Sequence, residues 1–281
     1  MAGNWTAYAL DYRAESPVHI GWHRLGQIRR TRYFIPARNV WGSWTAAWAR
    51  RTGGPSFSEG NPYTKAEACL EKWARFTALF PWTAEDGPLR PKYGDSGLGY
   101  GKDRQSAGWF EAKFVHGVAS ASIDPWSFTA LDGALHEREY LYAPGMRFHG
   151  YVLIGPNNKW EELRTEVDRV QIGGNAGYGY GMLRLAGEPK PAAELFDEEF
   201  TLDNDGRLSG RQGCCLAGFC GIAGLDADGE IEVVSGRGSA RGEGAGQDVR
   251  QPRAMWAPGS RVKDKSTFEI DTWGDWRRRA D

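Results

Sequence analysis

MRFHGYVLI (146–154), GPNNKWEELRTEVDRV (155–170) and QIGGNAGYGYGMLRL (171–185) form one continuous stretch, and its reading decides the fold. In the first piece Met146, Phe148, Val152 and Ile154 fall on one face with a period of two, the mark of a strand. Asn157 or Asn158 can cap the helix that follows, whose apolar stripe is Trp160, Leu163, Val167 and Val170. Gly173, Gly174, Gly177, Gly179 and Gly181 then crowd a loop that leads into a second strand. Strand, helix, glycine-rich loop and strand in this order make half of a ferredoxin-like α+β fold.

Working outward, residues 5–11 (WTAYALD) alternate and read as an opening strand, and 17–22 (PVHIGW) as a second short extended piece. Pro36 opens a helix with Val40, Trp44 and Trp48 on one stripe. Thr64 and Glu67 have capping-box spacing ahead of another helix, whose apolar positions are Cys69, Leu70, Trp73, Phe76 and Phe80. Residues 86–108, rich in glycine and charge, read as a mobile loop. Beyond Ala186 the pattern changes to short strand candidates with Asp-Gly turn signals at Asp203–Gly206 and Asp226–Gly229, and 235–247 reads as an exposed loop. The expected organisation is a core over 1–187 with an insertion at about 53–108, followed by a β-rich extension over 188–281.

The chain has 281 residues, 41% of them hydrophobic and 25% charged, values of an ordinary globular protein. Thirteen Trp, beside 12 Phe and 11 Tyr, exceed what a core needs and suggest stacking or interface roles for some of them. The net charge of −1 gives no global basic signature. Its distribution does: from Ser16 to Ser58 there is no Asp, Glu or Lys, but there are seven arginines, Arg24, Arg29, Arg30, Arg32, Arg38, Arg50 and Arg51. Guanidinium groups suit bidentate phosphate contacts and stacking on bases.

Several chemistries are excluded. Cys69, Cys214, Cys215 and Cys220 make no Cys-x-x-Cys pair, so no zinc ribbon is expected. The glycine cluster lacks the spacing and flanking order of a dinucleotide fingerprint, and Gly101-Lys102 is followed by Asp103, so no P-loop is formed. His19 and His23 have the i, i+4 spacing of a helical zinc site but lack the Glu and a third ligand. No metal and no cofactor are expected. No run approaches a membrane span, which makes the cytoplasm, with reduced thiols, the simplest expectation.

Three segments in order resemble the RAMP superfamily of CRISPR-associated proteins: PVHIGWHRLGQIRRTRYFIPARNVWGSWTAAW (17–48), SIDPWSFTALDGALHEREYLYAPGMRFHGYVLIG (122–155) and the loop IGGNAGYGYG (172–181). The resemblance implies a ferredoxin-like, RRM-like fold and a subunit that binds guide RNA and contacts neighbouring RAMP subunits, with target RNA or DNA as a further contact. The Pro258-Gly259-Ser260 triplet resembles a feature of the subunits that cap the 5′ handle of the guide in type III-like complexes; the repeated backbone subunit is the alternative. The expected phosphate contacts are Arg24, Arg29, Arg30, Arg32 and Arg38 with Gly173, Gly174, Asn175, Gly177 and Gly179, and the base or sugar contacts are His23, Tyr33, Tyr178 and Tyr180. A non-catalytic role is expected. The competing readings are a metal-independent guide-processing endoribonuclease, with His23 as base and Arg24 stabilising charge, and a protein-interaction module unrelated to RNA. Asp124-Pro125 reads as a turn rather than as a cleaving carboxylate.

Overall fold

The computed structural model describes residues 4–52, 62–238, 248–249 and 251–279. In chain order the elements are β1 (Thr6–Ala14), β2 (Gly21–Leu25), β3 (Ile28–Thr31), α1 (Ala37–Thr52), α2 (Pro62–Leu70), β4 (Ala74–Phe76), β5 (Phe80–Thr83), β6 (Gly87–Pro88), β7 (Pro91–Gly94), β8 (Gly97–Tyr100), α3 (Ala107–Phe114), β9 (Val115–Ser120), β10 (His136–Leu141), β11 (Arg147–Ile154), α4 (Trp160–Leu163), β12 (Arg169–Gln171), β13 (Met182–Leu185) and β14 (Lys190–Ala192). Later strands are named by their residues.

The main sheet runs β12-β13-β1-β11-β5-β6, with β4 also on β11 and β14 also on β1. The order β13-β1-β11-β4/β5, all antiparallel, with α1 and α4 as the two crossovers, is that of a ferredoxin-like fold. Alternation in β1 sends Leu10 and Tyr12 to the helix side, where the Tyr12 hydroxyl donates to the Val167 carbonyl at 2.7 Å. The α1 stripe is fully buried on the same side, and Trp44 stacks on Trp160 of α4 at 5.9 Å and meets Phe76 edge-on at 5.1 Å. This one aromatic cluster fastens both crossover helices to the sheet.

The other face of the sheet is covered as well. Ala7, Phe80, Tyr151 and Leu153 join a second core with Phe200, Phe268 and Trp276. Those partners belong to an eight-stranded sheet built from residues 194–278. Residues 150–154 of β11 are therefore all buried, on both sides of the pleat, beyond the single apolar face that the alternation predicted. Asn158 Oδ1 accepts from the Trp160 N–H at 3.1 Å, as expected of the cap. The Asp203–Gly206 turn joins the strands 200–202 and 207–210, with Asp203 Oδ1 accepting from the Asp205 and Arg207 N–H groups. Gly229 lies in the bend between the strands Ala227–Asp228 and Ile231–Val234.

Several expectations are corrected. The helix after Asn158 is a single turn, Trp160–Leu163; of its expected apolar stripe, Val167 lies beyond the helix and Val170 is in β12, although all four are buried in one core. The helix at α2 begins at Pro62, so Thr64 sits inside its first turn with a buried, unpartnered hydroxyl and is not a cap. That helix ends at Leu70, and Trp73, Phe76 and Phe80 lie beyond it. The run 74–83, read as insertion, pairs with β11 instead, because its Phe, Thr and Trp favour strand and Pro81 disfavours helix. Residues 86–108 hold β6 and the β7/β8 hairpin, with Leu89, Arg90 and Tyr100 buried, so this is packed structure rather than open loop. Beyond residue 187, β14 still pairs with β1. The expectations for 53–61 and for 239–247 lie outside the described residues. Cys214, Cys215 and Cys220 are buried free thiols, and burial pushes Cys214 and Cys220 up to about 12. Among the described residues no helix is long and apolar enough to cross a membrane.

A buried ion pair ties the segment between β6 and β7 to the C-terminal sheet. Arg90 is 3% exposed and donates to the Phe196 carbonyl at 2.8 Å, to Glu199 at 3.0 Å and to the Cys215 carbonyl at 3.0 Å. Burial alone would push Glu199 up, but Arg90, the Cys215 N–H and Lys92 hold it below the usual carboxylate range. Arg90→Met takes the buried guanidinium from Glu199, leaving it Lys92 and the Cys215 N–H, and deprives two carbonyls of their donor; urea unfolding is expected to show a loss of about 3 kcal/mol. A loss below about 1 kcal/mol would mean that the pair does not join the two layers.

Candidate nucleic-acid interface

A second, smaller sheet, β2-β3-β10-β9, stands beside the main one. Its register places Arg24 of β2 directly opposite Arg29 of β3, and Arg29 opposite Arg138 of β10. Residues in register share a face, so three guanidinium groups lie in a row across adjacent strands. Like charges directly opposite one another are unfavourable, and no ion pair relieves these three among the described residues. Among the described residues Arg24 donates only to the Gly26 carbonyl and to Gln27. Such a row is stable next to an anion.

On the opposite face the charges are neutralised. Arg30 pairs with Glu139 at 3.1 Å and Glu111 at 2.9 Å and also donates to the Tyr33 hydroxyl. Tyr33 is 7% exposed and its hydroxyl donates to Glu111, holding that carboxyl, together with Arg30, below the usual range. Arg32 pairs with Glu232 at 2.8 Å and lies over Phe219, and Arg38 pairs with Asp275 at 3.0 Å. The acids missing from 16–58 thus arrive from distant segments. Arg30, Arg32, Arg38 and Tyr33, expected at the RNA contact, are engaged in holding the fold. His23 is exposed on β2, with its ring 4.4 Å from that of Trp22.

The glycine loop joins this small sheet. The Gly174 N–H donates to the His19 carbonyl at 2.8 Å, and a Cβ at Gly173 (φ +91°) would run into the same carbonyl. Gly173 is therefore required by close packing. Gly177, by contrast, faces open space. Tyr178 is 75% exposed, with the Arg138 guanidinium 5.3 Å from its ring centre, and Tyr180 meets Tyr140 of β10 edge-on at 5.8 Å. Arg138 Nε and Asn175 Nδ2 are buried side-chain donors without a partner, and so is Arg38 Nη1. Orphaned buried donors are uncommon and call for an acceptor. Arg38, Gly173 and Gly174 also line a cavity of about 420 Å³ whose far wall is Phe219, Val234 and Gly236. The glycine loop meets the small sheet at Arg138, whose guanidinium lies over Tyr178, and at His19, which accepts from Gly174; Arg29 and Arg24 continue the row away from the loop. Arg138 and Tyr140 were missed by sequence reasoning; only strand register could have shown that Arg138 extends the row. Trp22 packs instead against the neutralised group, with its ring beside Arg30, Arg32 and Tyr33.

From the small sheet the β9–β10 arm projects a tip with Ile123, Trp126, Phe128, Leu131 and Leu135 exposed, Trp126 to 91%. Asp124 forms the expected turn there: its carboxylate accepts from the Trp126 N–H at 2.9 Å, and bonds from Trp126 and Ser127 hold it below the usual carboxylate range.

No protein-family model matches the chain, and no curated protein matches it. Among solved structures, a chain in the cryo-EM structure of the type III-B Cmr-beta complex bound to cognate target RNA and AMPPnP is similar, with a TM-score of 0.57 at 13% identity, covering 91% of this chain and 86% of that one. A chain in the type III-B Cmr-beta complex bound to cognate target RNA gives 0.53, with the same identity and coverage. At this identity the likeness establishes the fold alone, and the α+β, ferredoxin-like architecture stands.

His19 lies under the glycine loop and makes its own pH test. Burial lowers its pKa below 6.5, opposed by its bond to the Glu139 carbonyl, while Arg138 and Arg29 lower it further. A folded value below the unfolded one means the unfolded chain takes up the proton first. The stability involved is complete above about pH 6.5 and is lost as pH falls through the lowered folded value. Tm is expected to fall between pH 7 and pH 5, and His19→Gln to flatten that slope; an unchanged slope in the variant would contradict the assignment.

Proposed function

We propose that this chain is a non-catalytic, guide-RNA-binding subunit of a type III-like CRISPR effector complex, and that it caps the 5′ handle of the guide. The observation that carries the reading is the row Arg24, Arg29 and Arg138, free of carboxylates and continued by Tyr178 and two orphaned donors. Phosphates would take the guanidinium groups, and unstacked bases would lie on Tyr178 and Tyr180. The fold shared with chains of complexes described as bound to target RNA supports the same reading.

Capping is favoured over a repeated position because residues 194–278 close one face of the main sheet. A repeated subunit needs two complementary surfaces, one for each neighbour. The Pro258–Ser260 triplet that suggested capping is itself internal: Gly259 accepts from the Tyr93 N–H and donates to the Leu216 carbonyl, so its role is packing. The apolar tip at Trp126 and Phe128 is the surface we assign to a neighbouring subunit. Guide processing is disfavoured because His23 has no orienting hydrogen bond among the described residues, as a general base would.

Replacing Arg24, Arg29 and Arg138 together by Ala is expected to weaken binding of single-stranded repeat RNA by at least tenfold and to lower the slope of log affinity against log salt by about 2, near 0.7 for each lost phosphate contact. Filter binding over a salt series reads both. Native circular dichroism with unchanged affinity and slope would remove the proposal's support.

A further inference from the structure

On its second face the main sheet is closed by apolar contacts at Ala7 and Leu153. Towards the other end of β1 the side chains on that face become polar: Asp11 and, across from it, His149, followed by Arg147. A cavity of about 310 Å³ opens there, walled by Phe80, Trp82 and Phe196 and carrying Asp11, His149 and Asp197. The grip on phosphates described above makes no use of it.

Its charges cancel. Arg147 pairs with Asp11 at 2.8 Å, and Arg90 and Lys92 are shared between Glu199, at 3.0 and 3.3 Å, and Asp197, at 3.9 and 3.6 Å. A bare phosphate or an ammonium group therefore gains little. What the cavity offers is aromatic wall with unused hydrogen-bonding groups, and its size suits a nucleoside. The contacts to Asp197 are too long for hydrogen bonds, so both carboxylate oxygens remain acceptors. Tyr151 Oη accepts from the Phe196 N–H at 3.3 Å and lies 3.4 Å from His149 Nε2. With the hydroxyl proton directed to Nε2, the ring carries its own proton on Nδ1. Burial lowers the pKa of His149, so the ring is neutral at neutral pH.

The backbone is also strained at this place. Phe196, Asp197 and Glu198 have φ of 58°, 60° and 63°, three successive non-glycine residues in the left-handed region. Side chains disfavour this conformation, and Arg90, bonded to the Phe196 carbonyl, holds the three residues there. Strain of this kind collects where a side chain must be presented in one direction; here it presents Asp197 to the cavity.

We propose that this cavity holds a single unstacked guanine base of the bound RNA, its N1–H and N2 amino edge donating to the Asp197 carboxylate and the base lying against the partly exposed Trp82 ring, above the buried edges of Phe80 and Phe196. Uracil offers one N–H between two carbonyls and meets the carboxylate with repulsion. The assignment rests on the reading of the chain as an RNA-binding subunit.

The test titrates the full chain with 5′-GMP and 5′-UMP by calorimetry, so that the phosphate contribution cancels, and measures oligouridylate binding separately. GMP is expected to bind at least about tenfold more tightly than UMP. Asp197→Asn, which tolerates the left-handed backbone, should lower GMP affinity at least about fivefold and leave oligouridylate affinity unchanged. Equal affinities for GMP and UMP, no GMP binding, or a folded Asp197→Asn protein with undiminished GMP affinity would each overturn the pocket while leaving the RNA reading intact. Oligouridylate that fails to bind while GMP discrimination persists would overturn the RNA grip and leave a guanine site.

Discussion

The main sheet is covered on both faces except at the cavity beside Asp11 and His149, and the rest of the molecule follows from that. Leu10, Tyr12, Phe148 and Val152 bury one side under α1 and α4, while Ala7, Tyr151 and Leu153 bury the other under the strands of 194–278. The driving force is ordinary removal of apolar area from water, at roughly 25 cal/mol per Å². Its consequence is positional. An open ferredoxin-like sheet exposes one whole face; here most of both faces is covered, and the arginines unpaired among the described residues lie at the rim, where the small sheet and the glycine loop meet.

The arginine economy makes the same division. Arg30, Arg32 and Arg38 are drawn inward by Glu111, Glu139, Glu232 and Asp275, and each of these bonds joins segments far apart in the chain. Arg24 and Arg29 have no such partner among the described residues, and Arg138 reaches only His136 and the ring of Tyr178. One run of like residues is thus divided between paired and unpaired groups, and strand register decides which are which. Alternation sends Arg29 to one face and Arg30 to the other, so neighbours in sequence have opposite surroundings.

Much of the fold was legible because its signals are local. The period of two at 146–154, the Trp44/Trp48 stripe, the cap at Asn158 and the Asp203–Gly206 turn depend on a few neighbouring residues, and all appear as read. The run 70–80 misled because its apolar spacing fits a helix as well as it fits a turn followed by strands, and only pairing with β11 resolves it. The packing of 86–108 was hidden because strands of two to four residues carry little periodicity. At the site, clustering of arginine was visible, but the carboxylates that neutralise half of it come from more than seventy residues away. Arg138 was invisible for the same reason: nothing within HEREYL (136–141) says that it lies beside Arg29.

Ultraviolet cross-linking of the intact protein to single-stranded repeat RNA, followed by mass spectrometry of the linked peptides, tests the central claim most directly. The account predicts adducts on the peptides that carry Tyr178 and Tyr180 and on the peptide that carries Trp22 and His23. Adducts confined to α1, to α2 or to the outer strands of 194–278 would contradict it.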